Sequence, residues 1–241
     1  MELFEDKLGA YYVHLAVVAT LALCASFVLI WGYASVDRSM GIVQKIFYSH
    51  VPAAMAAYAG FTVTSVGSLL YLLRPHRDWD VLAVAGVEVG LLFCAYVLLS
   101  GPLWALKAWG EAWVWDPQLT ATFVLFLLYG AYALLRAFSD ADERMRRVAA
   151  VLGVIAFVDI PIIHYAVQKW GGMHPIVERS GGGGLAPTMK TTFTVSMLAF
   201  FVLFAALLWL AVRVRRLEWR IEGVELDVED ARRAKEETRE R

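Results

Sequence analysis

Two histidines and a run of indoles are the groups in this 241-residue chain whose types and spacing suit the capture of a ligand. The run is Trp109-Gly110-Glu111-Ala112-Trp113-Val114-Trp115-Asp116-Pro117, with Trp104 just upstream, so four of the nine tryptophans fall between positions 104 and 115. A packed core has no use for that density. Pro102 and Pro117 bound the stretch, Gly110 interrupts it, and Glu111 and Asp116 are costly in hydrocarbon. Indole rings are favoured where one edge is apolar and the other wet, so the stretch reads as aromatic residues held at a membrane surface. Two readings stand: an interfacial belt that only anchors helices, or a flat wall for a large, flat, mostly apolar ligand. If residues 109–113 are helical, Trp109 and Trp113 share a face at i,i+4 spacing. His50 lies in Phe47-Tyr48-Ser49-His50-Val51-Pro52, and His174 in Trp170-Gly171-Gly172-Met173-His174-Pro175.

What positions these groups is set by composition. The chain is 59% hydrophobic with a mean hydropathy of +0.57, which places it among membrane proteins. The formal net charge of -1 offers no basic surface for nucleic acid. Cys24 and Cys94 sit inside apolar runs, far from any CxxC spacing, and read as small buried hydrophobes. Six stretches are long enough to span, at 13–33, 51–73, 81–101, 119–138, 148–166 and 191–212, because about 20 helical residues cross a core of about 30 Å. The first does not read as a cleaved signal peptide: Glu2, Glu5 and Asp6 outweigh Lys7, the apolar run is too long, and no small-x-small site follows. The predicted fold is therefore an all-α, polytopic integral membrane protein over residues 1–212, followed by a charged tail at 213–241.

Charge asymmetry orients the spans. With both termini cytoplasmic, 16 of the 22 lysines and arginines fall inside, including Arg136, Arg144, Arg146 and Arg147 in one short loop. The outer six are Arg38, Lys45, Lys107, Lys169, Arg179 and Lys190. The positive-inside rule then puts loops 102–118 and 165–190 on the periplasmic face. His50 falls at the outer mouth of the second span, with Pro52 in that helix's first turn. Ala53, Ala56, Ala57 and Gly60 permit close approach to a neighbour, as does Gly86-x-x-x-Gly90 in the third span. Glu88, in that span toward the cytoplasmic side, is expected to face the bundle interior, protonated or hydrogen-bonded. Pro161 is expected to kink the fifth span. Pro175 biases His174 toward an extended backbone, and the run Gly181 to Gly184 reads as a flexible linker, not a phosphate loop. The tail reads as a solvated helix or disordered segment without assigned chemistry.

Trp-Gly-x-x-Trp-x-Trp-Asp, continuing into Leu119-Thr120, resembles the tryptophan-rich haem-handling signature of the cytochrome c maturation protein C family and of the larger cytochrome c haem lyases. Phe-Tyr-Ser-His-Val-Pro-Ala-Ala-Met and Pro-Ile-Ile-His-Tyr, with His174 ten residues after His164, resemble the same family, and the likeness covers residues 47 to about 212. Six spans without a further outer domain disfavour the larger lyases. The resemblance implies a protein that binds haem b at the periplasmic face and passes it to a periplasmic haem chaperone. The implied partners are an ABC transporter ATPase and permease and a small single-span subunit. His50 and His174 become axial ligands of the haem iron, with Trp104, Trp109, Trp113, Trp115 and Asp116 about the ring. His164 is assigned to a hydrogen bond within the bundle, Met173 is an alternative ligand to His174, and His14 and His76 match no motif. Where the family carries a basic residue two positions after the aspartate, this chain has Gln118, so a contact to a haem propionate would fall to another group such as Lys107 or Arg38. The chain is thus expected to be a haem-delivery component more than an enzyme. The alternatives are a transmembrane haem exporter and an electron-transfer cytochrome b, the latter needing histidine pairs at mid-membrane depth.

Overall fold

The computed structural model describes residues 2–138, 143–174 and 185–239. The Pro175 and glycine-run expectations fall outside them. Its helices are α1 (Glu2–Val28), α2 (Phe47–Leu73), α3 (Arg77–Trp109), α4 (Pro117–Phe138), α5 (Glu143–Ala156), α6 (Asp159–Trp170) and α7 (Pro187–Arg239), and no strand occurs among the described residues. Six segments are long and apolar enough to cross a membrane, α5 and α6 together supplying the fifth. The all-α polytopic fold is therefore present, with boundaries that differ from the sequence reading in ways that matter.

α2 and α3 form the central pair, and glycine makes their contact possible. A Cβ on Gly60 would lie 2.7 Å from the Cα of Gly90, and one on Gly86 would lie 2.8 Å from the Gly60 carbonyl oxygen. The expected small-residue seams thus meet each other, backbone to backbone. α2 also packs on α5 and α7, and α4 closes over α3, α5 and α6. Across this core Phe61 stacks on Tyr129, with centroids 4.0 Å apart and planes 3° from parallel. The Tyr129 hydroxyl donates to the Gly153 carbonyl at 3.1 Å, which satisfies the one polar atom that ring buries.

Both α2 and α3 are longer than the apolar runs suggest. A 3₁₀ turn (Ile42–Ile46) leads directly into α2, so Pro52 lies inside the helix and not in its first turn. α3 likewise runs through Pro102 to Trp109, making the first half of the expected 102–118 loop helical. The fifth span breaks at Phe157 and Val158, just before the expected kink. Pro161 has no N–H for the Phe157 carbonyl, which accepts instead from the Ile160 N–H at 3.1 Å. α1 packs on α7, and Cys24, expected to be buried, lies exposed on it, whereas Cys94 is buried.

The end of the bundle opposite the tryptophans is held by ion pairs. Arg136 of α4 meets Asp80 of α3 at 2.8 Å, both side chains nearly inaccessible. Such a pair offsets its desolvation only because both charges are present. Glu88 is hydrogen-bonded, one of the two states expected of it, but it stands on the flank of the bundle and not in its interior. α7 continues as helix past its apolar span, and Arg215 reaches Glu88 through Nε at 2.9 Å and through a second guanidinium nitrogen. The next residue, Arg216, bonds Asp78 at 3.1 Å, and one turn on Trp219 lies beneath the guanidinium groups of Arg77 and Arg146. The tail is therefore a helix seated on the bundle at its root.

Candidate functional site

At the tryptophan-bearing end, the N-terminus of α2, the C-terminus of α3, the N-terminus of α4 and the segment after α6 come together. His50 stands on the first turn of α2. Its Nδ1 lies 2.8 Å from Ser100 Oγ of α3, and that hydroxyl donates to the Val97 carbonyl at 3.4 Å. The serine oxygen is then the acceptor and Nδ1–H the donor, which leaves the lone pair on Nε2. Gly101 gives the ring its room, since a Cβ there would come 3.3 Å from His50 Cε1.

Gly110 ends α3 in the left-handed conformation (φ 82°), its N–H bonding the Leu106 carbonyl at 3.2 Å. A side chain with a Cβ is strained there. Residues 110–116 are not helical, so Trp109 and Trp113 do not share a helical face. Nor do the indoles form one flat wall. Trp104 meets Trp109 edge-on at 5.6 Å and 88°, and Trp113 meets Trp115 at 5.6 Å and 79°, with Phe123 of α4 against both of the latter. Ring quadrupoles favour these T-shaped pairs over coplanar indoles. Trp104 Nε1 donates to Gln44 Oε1 at 3.4 Å, tying the first pair to the 3₁₀ turn. The Trp113 Nε1–H is enclosed with no hydrogen-bond partner among the described residues, and Trp115 is 74% exposed. A buried donor with no acceptor, beside an exposed indole, suits a ligand with both apolar area and an acceptor atom.

Asp116 binds the site together from beneath. One carboxylate oxygen accepts the Leu119 N–H at 2.8 Å, the N-cap bond of a helix whose first residue is Pro117. The other accepts the backbone N–H of His174 at 3.3 Å. The aspartate is only 7% exposed, so it supports the site and does not line it. His50 and His174 are near enough for the charge of one to act on the other. Among the described residues no three metal-ligating side chains converge, so the site offers two imidazoles and not a cage for a bare cation.

His164 is exposed on α6 and packs edge-on against Tyr165 at 4.9 Å, in place of the hydrogen bond expected within the bundle. His76 lies at the opposite end, where its Nδ1 accepts the Asp78 N–H as the N-cap of α3. Gln118 sits in the first turn of α4, Lys107 is exposed in the last turn of α3, and Arg38 is exposed on the turn organised by Asp37. The Met40 backbone N–H, with the hydroxyl and N–H of Ser39, holds the Asp37 carboxyl below the usual carboxylate range. Ser100, Gln44 and Phe123 were not singled out from sequence. The capping role of Asp116 was available from Asp-Pro ahead of an apolar run.

The two carboxylate bonds of Asp116 separate by substitution. Asp116→Ala removes both, with loss of the cap costing about 1 kcal/mol. Asp116→Asn keeps an oxygen for the Leu119 N–H but presents an amide to His174. Thermal melting of the detergent-solubilised protein is expected to fall for Ala and hold for Asn, while both lose hold of the His174 segment, read as faster proteolysis after Trp170.

The family profile described as heme exporter protein C matches residues 2–226. Heme exporter protein C of Bradyrhizobium diazoefficiens is 36% identical over 193 residues, 79% of this chain and 73% of its own. That of Paracoccus denitrificans is 33% identical over 201 residues, covering 82% and 83%. That of Escherichia coli K12 is 33% identical over 206 residues, covering 85% and 83%.

Proposed function

The chain belongs to the heme exporter protein C family, and from that premise we propose that it holds haem b at the periplasmic face of the inner membrane for cytochrome c maturation and delivers it to a periplasmic haem chaperone. The observation that carries this reading is the convergence of His50 and His174 at the end that bears the indoles. His50 Nε2, freed by the bond from Nδ1 to Ser100, and the His174 imidazole would hold the iron. The indoles lie about the ring: Trp115 stays accessible to the acceptor protein, and Trp113 Nε1–H supplies a hydrogen bond to a propionate. Such a site binds and hands over haem without performing chemistry of its own, so the chain acts as a delivery component and not as an enzyme. Lys107 and Arg38, both exposed at this end, are the cations available where Gln118 offers none. The partners in this reading are the chaperone, a small single-span subunit, and the ATPase and permease of an ABC transporter.

A second reading, passage of haem through the bundle, fits less well. The backbones of α2 and α3 close on one another at Gly60 and Gly90, which leaves no passage between the central pair. His76, the histidine at the far end, is spent on a helix cap.

The purified protein in its oxidised and dithionite-reduced forms tests the reading. A low-spin, six-coordinate haem spectrum is the expected result, and a preparation that takes up no haem overturns the proposal. Orientation is read in the same membranes with Cys24 changed to serine. A membrane-impermeant thiol reagent applied outside is expected to label Lys169→Cys and to spare Glu143→Cys.

A further inference from the structure

From Leu210 onward, through and past its ion pairs with the bundle, α7 carries an apolar seam that the described residues do not cover. Leu210, Val214, Leu217, Ile221, Val224 and Val228 are 37 to 62% exposed, although all are large hydrophobes and the later ones lie past the apolar span. Their spacing alternates four and three residues throughout. That 3.5-residue period is the seam of a two-stranded coiled coil, not the wider stripe of a helix lying against a globular core. In heptad terms Val214, Ile221 and Val228 occupy a, while Leu210, Leu217 and Val224 occupy d. Among parallel coiled coils, β-branched residues at a with leucine at d, as at two of the three d positions here, favour two strands.

The remaining faces of the helix support the assignment. The residues that clamp α7 to its own bundle, Arg215, Arg216 and Trp219, occupy b, c and f. From Leu217 onward the seam is therefore turned away from these clamping contacts, whereas Leu210 and Val214 at its root still border α3. The shallow apolar depressions along α7 lie on it, one lined by Leu210 and Val214 with Glu88 and Leu92 of α3, the next by Leu217, Ile221 and Val224. The flanking charges specify which partner. In a parallel pair each g residue faces the e residue five positions later on the other strand. The g–e pairs in sequence are Arg213 with Glu218, a carboxylate that also accepts from Arg215 of its own helix at 3.0 Å, Arg220 with Glu225, and Asp227 with Arg232, each of opposite sign. A second copy in the same membrane sends its α7 out on the same side and in the same direction. It therefore meets the first in the orientation this pattern requires, and at the high effective concentration of two tethered strands.

We propose that the extension of α7 is a dimerisation helix, which pairs two copies of this chain through a parallel coiled coil outside the membrane, at the end away from the histidine site. Residues 213–239 extend about 40 Å at 1.5 Å per residue, and the seam occupies the first part of that length, the two heptads from Val214 to Val228.

Disulfide formation in intact membranes tests this with the full chain carrying Cys24→Ser. Ile221→Cys and Val228→Cys, at a, are expected to convert mostly to a species of twice the chain mass. Glu229→Cys, at b, is expected to do so at least fivefold less. Ile221→Asp with Val228→Asp should turn a dimer into a monomer by light scattering in detergent while leaving the melting of the bundle unchanged. Arg220→Glu alone should reduce the cross-link from Val228→Cys, and adding Glu225→Arg should restore it. Equal cross-linking at 229, cross-linking of the a positions only to a protein of another mass, or burial of a fluorophore at 221 in lipid without self-cross-linking would each overturn the proposal.

Discussion

Replacing either His50 or His174 by alanine is expected to empty the site of low-spin haem, the largest single-residue effect this chain should show. In the proposed site each imidazole would supply one of two bonds to the iron, so the loss of either would leave high-spin iron or none. His14→Ala and His76→Ala should leave the spectrum unchanged, because His14 sits on α1 and His76 caps α3 at the other end. Glycine in place of either ligand, with imidazole added, should restore much of the low-spin signal, since the cavity then admits the missing group. Ser100→Ala is the graded control. It keeps the ligand but removes the acceptor that fixes Nδ1 as the protonated nitrogen, and loss of such a supporting bond typically costs about 10–100-fold in affinity. An unchanged low-spin spectrum in His50→Ala or His174→Ala would show that the histidine concerned is not axial.

The legible part of the molecule was the part written in local pattern. Apolar runs of spanning length gave six membrane segments, and small residues on α2 and α3 announced the close contact between them. Boundaries failed where proline was read as punctuation. Pro52 and Pro102 are both carried inside helices, because neighbouring helices enforce the backbone beyond them. The helix through Pro102 stops only at Gly110, whose left-handed backbone is a stronger signal. What sequence could not show were contacts between distant positions. Ser100 lies in an apolar run with nothing to mark it, yet it meets a histidine 50 residues earlier. Asp116 was noticed for belonging to a signature, but its bond to a backbone 58 residues away exists only in the fold. The partner of Glu88 is out of reach for the same reason, since Arg215 lies 127 residues on, in the charged tail.

The tryptophans decide between anchoring and handling. If they only hold the segment at the interface, Trp109, Trp113 and Trp115 should each accept phenylalanine or leucine with little change in haem content or transfer. The structure gives the four indoles unequal surroundings, and these set unequal expectations. Trp104 is tied to Gln44 and Trp109 packs on Trp104, so losing either disturbs the helix end that leads into the site. Trp115 is largely exposed and its loss removes little from the fold, yet it offers the most ring surface to a ligand or an incoming chaperone. Trp115→Ala is therefore expected to retain the low-spin spectrum while the haem that reaches the chaperone falls. By analogy with base–aromatic stacking, about 1–3 kcal/mol per ring, the fall should be tens-fold. Trp113 separates ring from N–H. Trp113→Phe keeps an aromatic edge for Trp115 and Phe123 but removes the enclosed Nε1–H, so haem content should drop if that donor meets a propionate. Haem content and chaperone-bound haem, measured side by side, distinguish the two steps: alanine at 115 lowers the second alone, and phenylalanine at 113 lowers the first. Full transfer by a folded chain with alanine at 109, 113 and 115 together would leave the indoles as anchors and the histidines as the whole of the site.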